Sequence, residues 1–271
     1  MSRTKKGQSL CFADLTVQEQ EKALVNDAKV LYSTAMQAYH ILGVYQQLSS
    51  AHQNHHPTFQ QCGCFWRATM QSMHYTMQMY LAKLYDTPDK DTITLFQLLN
   101  NLEMHQQVAT LTLHQHTCCI TLTEEEKANF EEYYARHNTT APVAYANGCD
   151  YRYYLDTVDA YLNVLRAKRR CVTTLSDALH KKRNQFLAHH IRATYDDVNT
   201  FLQACPISID EIEYLVNVAI SIATGIHQLL TGHGLSTKIS NHHDVRYILS
   251  ILNTPLDDVR LGDDCCTCKR F

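Results

Sequence analysis

Arg183-Asn184-Gln185-Phe186-Leu187-Ala188-His189 places an arginine, an amide and a histidine close together at the end of a strongly basic stretch. Each has a use in handling a phosphodiester without a metal. Arginine is a permanent planar cation that matches phosphate oxygens. Histidine is the side chain that ordinarily titrates near neutral pH, so it can give or take a proton. Metal-free cleavage of RNA needs the 2′-hydroxyl proton removed, charge on the phosphate stabilised and the leaving 5′-oxygen protonated. His189 suits the proton transfers as general base or acid, a role that typically contributes about 10²–10⁴-fold. Arg183 suits the developing charge on the phosphorane. Asn184 can orient the histidine or hydrogen-bond a phosphate or ribose oxygen. By spacing alone, a helix end with dipole-suited cations and a surface histidine accounts for the same residues.

The residues before this group extend the charge. Arg166, Lys168, Arg169, Arg170, Lys181, Lys182, Arg183 and Arg192 have one acid among them, Asp177. At helical spacing Arg166, Arg170 and Lys181 fall on one face, a stripe that would draw a polyanion with salt-dependent affinity. A solvated helix C-terminus, where cations are favoured in any case, reads the same way. His190 points about 100° away from His189 on a helix and is read as an exposed histidine.

These groups need a helical frame, and the pattern supplies one. In a chain of 271 residues there are only 8 Gly and 5 Pro, which favours long helices and few turns. Leu24, Ala28, Leu31, Ala35, Ala38, Leu42 and Tyr45 recur at alternating four- and three-residue steps, predicting one helix over 17–50. After a loop containing Pro57 and Gly63, a helix from Phe65 to Tyr85 carries Trp66, Met70, Met73 and Met77 inward. A shorter helix is expected near Ile93–Glu103. Residues 105–122 fit strand or helix, with helix preferred beside helical neighbours. Thr123 with Glu126, and Ser208 with Glu211, are capping boxes that open helices. The second of these helices ends at Gly232. Asp150 to about Lys182 reads as one very long helix, and a last one is expected over His243–Leu252.

The expected class is all-α: a helical bundle with long helices. The expected parts are a tail at 1–16, a helical part at 17–137, a linker at 138–149, a second helical part at 150–254 and a Cys-rich polar tail at 255–271, with 17–254 as one continuous domain the alternative.

On that frame, Arg183-Asn184-x-x-x-Ala188-His189 resembles the R-N-x-x-x-small-H signature of the HEPN superfamily (higher eukaryotes and prokaryotes nucleotide-binding domains). Leu81-Ala82-Lys83-Leu84-Tyr85-Asp86, then Ile93-Thr94-Leu95 and Leu98-Leu99, look like a helix of the U-type abortive-infection proteins, and Ser208-Ile209-Asp210-Glu211-Ile212 opens the helix expected after the motif. The resemblance covers roughly residues 20–230. It implies a HEPN-like C-terminal half, a metal-independent RNA endonuclease of toxin or phage-defence character, and Arg183, Asn184 and His189 as its catalytic residues. It also implies a homodimer in which two motifs share one cleft, supplying the second histidine that one chain lacks. Other members of the superfamily bind RNA or nucleotides without cleaving, so a non-catalytic RNA-, nucleotide- or protein-binding module is the alternative. Arg166, Lys168, Arg169, Arg170, Lys181, Lys182 and Arg192 are the expected RNA contacts. An antitoxin protein is a further candidate partner.

The formal charge of −3 excludes a wholesale basic protein, so any nucleic-acid contact must be a local patch. No continuous apolar run approaches the roughly 18 residues of a membrane span, and no secretory signal is seen. The odd count of 11 cysteines reads as reduced thiols of a cytoplasmic protein. No cofactor and no metal are expected. Cys62, Cys64, His55 and His56, the pair His114 and His116 with Cys118 and Cys119, and the Cys265/Cys268 pair all lack a second correctly spaced ligand pair.

Overall fold

The computed structural model describes residues 12–54, 63–87, 92–108, 118–136, 144–147, 150–155, 158–182, 207–236 and 250. Among these are six helices: α1 (Val17–Gln53), α2 (Gly63–Leu84), α3 (Leu95–Met104), α4 (Glu124–Arg136), α5 (Val158–Lys182) and α6 (Ile209–Thr231). The class is all-α, as the residue pattern predicts. A small antiparallel sheet is added to it, formed by β1 (Cys118–Leu122), β2 (Ala144–Asn147) and β3 (Asp150–Leu155) in the order β1-β3-β2.

Caps set the starts of α1, α3, α4 and α6 and the end of α6. Thr16 opens α1, its hydroxyl accepting from the Glu19 amide while the Glu19 carboxylate accepts from the Thr16 amide. Thr94 caps α3 through the Gln97 amide. Thr123 and Glu126 bond reciprocally at the start of α4, and Ser208 and Glu211 do so at α6. Gly232 closes α6 in the left-handed conformation, at φ 73°. Such a position favours glycine because it has no Cβ to clash.

The sheet corrects three expectations. Residues 118–122 form strand β1 instead of helix, β2 lies inside the expected linker, and 150–155 form β3 before α5 begins at Val158. Cys118 pairs with Leu155 and Leu122 with Tyr151, while Asn147 pairs with Asp150 across the two positions between them. Asn147-Gly148 is the local signal for this turn: Asn-Gly between short runs of β-favouring residues marks a tight hairpin. The Tyr-rich run of β3 also favours a strand over a helix.

The chain divides into two compact units, one of residues 1–39 and 75–237, the other of 40–74 and 238–271. The expected linker at 138–149 therefore falls inside the first unit. In that unit α5 is central, packing against α3, α4 and α6. Tyr161, Leu162, Val164, Leu165, Val172 and Leu179 bury its inner face. Helix α6 contributes Ile212, Leu215, Ala219, Ile222, Ile226 and Leu229. It is long and apolar enough to cross a bilayer by length and composition, but most of its apolar stretch is buried inside the protein. In the second unit Leu48 and Trp66 form a small core with Val44, Ala51, Met70 and Met73.

Candidate functional site

Helix α5 carries the basic stretch, and its neighbours decide what each cation can do. Arg166 faces inward toward α3. Its Nε donates to Glu103 Oε1 at 2.8 Å and its Nη1 to Asn163 Oδ1 at 2.8 Å. Arg169 sits three residues on, the helical step that keeps it on a neighbouring face. Its guanidinium lies 4.7 Å from the Phe96 ring centroid, and Nη1 donates to Asn100 Oδ1 at 2.9 Å. Both arginines therefore dock α5 on α3, and the stacked cation adds attraction from the ring quadrupole.

Lys168 is placed in the interior. The residue is 4% exposed, and its ammonium donates to Glu126 Oε2 at 2.7 Å. The same carboxylate oxygen accepts from the Thr123 amide at 3.0 Å. One oxygen thus caps α4 and holds the buried cation of α5. Lys168 cannot reach a phosphate without abandoning a buried carboxylate, a costly exchange. Its expected role as an RNA contact is corrected to an internal one.

Close by, Asn129 Nδ2 donates to Cys171 Sγ at 3.3 Å. Burial pushes the Cys171 thiol above its ordinary range, with the Tyr214 hydroxyl acting in opposition. Burial likewise raises the Tyr214 phenol, and the neighbouring Cys171 adds to the shift. Both groups stay protonated near neutral pH. A protonated thiol or phenol is a weak nucleophile, and the two groups meet at the α4–α5–α6 junction.

Arg170 and Lys181 are exposed. With exposed Asp177 they occupy one solvent-facing stripe of α5 at steps of seven and four. The expected stripe therefore survives at Arg170 and Lys181, while Arg166 is withdrawn from it by Glu103. Lys182 is the last residue of the helix, with its side chain outside the described set. Arg183, Asn184, His189 and Arg192 lie outside the described residues, as do the candidate zinc groups apart from exposed Cys64 and the backbone of Cys118 and Cys119. No cluster of three potential metal ligands occurs among the described residues.

Sequence reading missed the partners Phe96, Asn100, Glu103 and Glu126. The first three lie more than sixty positions from the cations they hold, a separation with no local signature. Glu126 was visible as a capping residue, but nothing in its spacing announces a second duty to Lys168.

The HEPN model described as AbiU2 matches residues 17–248, spanning both the helical frame and the Arg183–His189 stretch. No curated protein and no solved structure gives a significant match.

Proposed function

The chain belongs to the AbiU2 family of HEPN proteins, and from that premise we propose that it is a metal-independent RNA endonuclease of toxin or phage-defence character. The observation that carries this reading is the run Arg183-Asn184-x-x-x-Ala188-His189, which begins at the residue directly after α5. In the proposed reaction Arg183 clamps the phosphate, His189 acts as general base or acid, and Asn184 orients the histidine or hydrogen-bonds a phosphate or ribose oxygen. Arg170 and Lys181 extend the cationic surface along α5 and steer the RNA backbone toward the motif.

A homodimer supplies the second histidine without new sequence, because two-fold symmetry brings the same residue twice to one groove. The apolar face of α6 is not available as its interface, since Ile212, Leu215, Ile222, Ile226 and Leu229 are spent on the intrachain core. The contact between subunits must use other surface. An antitoxin and a cytoplasmic location complete the reading.

The rival is a non-catalytic helical module that binds RNA, a nucleotide or a protein. It is favoured by the internal employment of Arg166, Lys168 and Arg169, which leaves a smaller cationic face than the sequence suggests. The deciding experiment is RNA degradation in the presence of EDTA, comparing the native protein with His189→Ala. Cleavage by the native protein alone supports the endonuclease. Salt-sensitive RNA binding with no cleavage by either supports the module.

A further inference from the structure

The second compact unit carries a cavity that the proposed reaction does not use. It measures about 310 Å³ and is lined by His52 of α1 and by Gly63, Trp66, Arg67 and Met70 of α2. The four α2 residues fall at i, i+3, i+4 and i+7, the spacing of one helix face. Trp66 is 9% exposed and seated on Leu48 in the small core of this unit, so its indole is fixed beside the cavity. Gly63 contributes open space. A Cβ there would meet no described atom within 4 Å, and its φ is not positive.

Arg67 brings charge to this apolar floor. Between Lys29 and Lys83 the sequence holds one charged side chain, and it is Arg67. The residue is exposed, and no described residue of the unit is acidic. The unit therefore offers no described carboxylate to cancel the field of the guanidinium. An anion entering the cavity meets an uncompensated cation. A solvated surface arginine accounts for Arg67 taken alone. It gives no reason for the one charge of this neutral stretch to adjoin the one tryptophan of the chain and a cavity.

The lining decides what would fit. Ligand pockets run from roughly 300 to 1,000 Å³, so this one has room for one ring system with one acidic group and not for a dinucleotide. The guanidinium presents parallel N–H donors that match a carboxylate or a phosphate. The His52 imidazole brings a further polar group from α1. Trp66 and Met70 give apolar contact suited to a ring. We propose that this cavity binds a small aromatic anion, with Arg67 on its phosphate or carboxylate and Trp66 and Met70 against its ring. The site stands apart from the endonuclease reading and does not depend on it.

Trp66 is the only tryptophan of the chain, so its fluorescence reports occupancy at the cavity itself. The full-length protein is titrated with adenosine monophosphate and with benzoate, two sources of the same chemistry. Adenosine and benzamide lack the charge, and ribose 5-phosphate lacks the ring. Isothermal titration calorimetry repeats each titration without the optical signal. At least one of the two anions is expected to bind saturably, with a Kd between about 10 µM and 1 mM. Binding of the nucleotide alone marks a mononucleotide site, and binding of benzoate marks a site for aromatic acids. The probes lacking charge or ring should bind at least about tenfold more weakly. Arg67→Gln should weaken the anion at least about tenfold, the loss of a charge-assisted hydrogen bond. Gly63→Leu should abolish binding by filling the cavity. Both variants should melt close to the native temperature, and Arg67→Gln, which changes only an exposed side chain, tests the site by itself. The proposal is overturned if neither anion binds, if the uncharged probes bind as tightly as the anions, or if either folded variant keeps native affinity.

Discussion

Lys168 of α5 and Glu126 of α4 meet at 2.7 Å with side chains 5% and 2% exposed, and the carboxylate oxygen that receives the ammonium also caps its own helix. Removing either charge strands the other in the interior, which typically costs about 3–5 kcal/mol. Lys168→Met and Glu126→Gln are each expected to destabilise by about that amount in urea denaturation. The double variant should lose less than the sum. RNA affinity of the folded Lys168→Met protein should equal that of the native one. Weakened RNA binding at native stability would return Lys168 to the surface.

The cations that face solvent should behave in the opposite way. Arg170→Gln and Lys181→Gln are expected to leave stability within about 0.5 kcal/mol of native. Each should reduce the slope of log affinity against log salt by about 0.7 for a single-stranded RNA. Arg166→Gln should cost stability through Glu103 and Asn163 instead. Fluorescence anisotropy titrations at several salt concentrations make the comparison, and an unchanged slope in both surface variants would remove this stripe from the RNA path.

How much of this was legible beforehand differs by level. The long helices were readable because their apolar steps repeat over many turns, so Leu24 through Leu42 on α1 and Ile212 through Leu229 on α6 lie buried as the spacing requires. Capping boxes at Thr123 and Ser208 fixed two starts because both partners are local. The sheet escapes such a reading because β1 and β2 are only five and four residues long, and because β1 pairs with β3 across the whole of α4, Cys118 with Leu155; only the β2–β3 hairpin has a local signal, Asn147-Gly148. Within the basic stretch, spacing puts Arg166, Arg170 and Lys181 on one helical face. Which cations stay in solvent depends on Glu103, Glu126 and Phe96, whose approach to α5 is set by tertiary packing.

Cysteine chemistry separates two of the described thiols. Cys64 is exposed, while Cys171 is partly buried with its thiol held protonated by burial. The thiolate is the reacting species. With iodoacetamide near neutral pH, followed by peptide mass mapping, Cys64 is expected to alkylate well before Cys171. Simultaneous modification of both would show that the α4–α5–α6 junction opens readily.

Burial raises the Asp27 carboxyl above its ordinary value of 3.8. A carboxyl whose folded pKa is raised favours the folded state while protonated. That contribution is full below 3.8 and is lost as pH rises through the raised value. Asp27→Asn should therefore raise the melting temperature at pH 7, and the gain should shrink toward zero as pH falls below the ordinary value. A gain that is constant with pH would point to some cause other than ionisation.

Helix α6 closely approaches Tyr161 of α5 at Gly225. The Tyr161 hydroxyl donates to the Gly225 carbonyl at 2.6 Å, and a Cβ at Gly225 would stand 2.8 Å from the Tyr161 hydroxyl oxygen. Tyr161 is fully buried, so the ring has no free direction in which to withdraw. Gly225→Ala is expected to destabilise by about 1–3 kcal/mol through overpacking. Tyr161→Phe alone should cost about 1 kcal/mol, the worth of one buried hydrogen bond. In the double variant the obstructing oxygen is gone. The added methyl then meets Leu165 Cδ2 and the ring carbon Cε1 at 3.7 Å, ordinary contact distance. The double variant should thus be little worse than Tyr161→Phe, so the two changes are strongly non-additive in a double-mutant cycle. Additive losses would mean that the glycine is required by something other than the tyrosine hydroxyl.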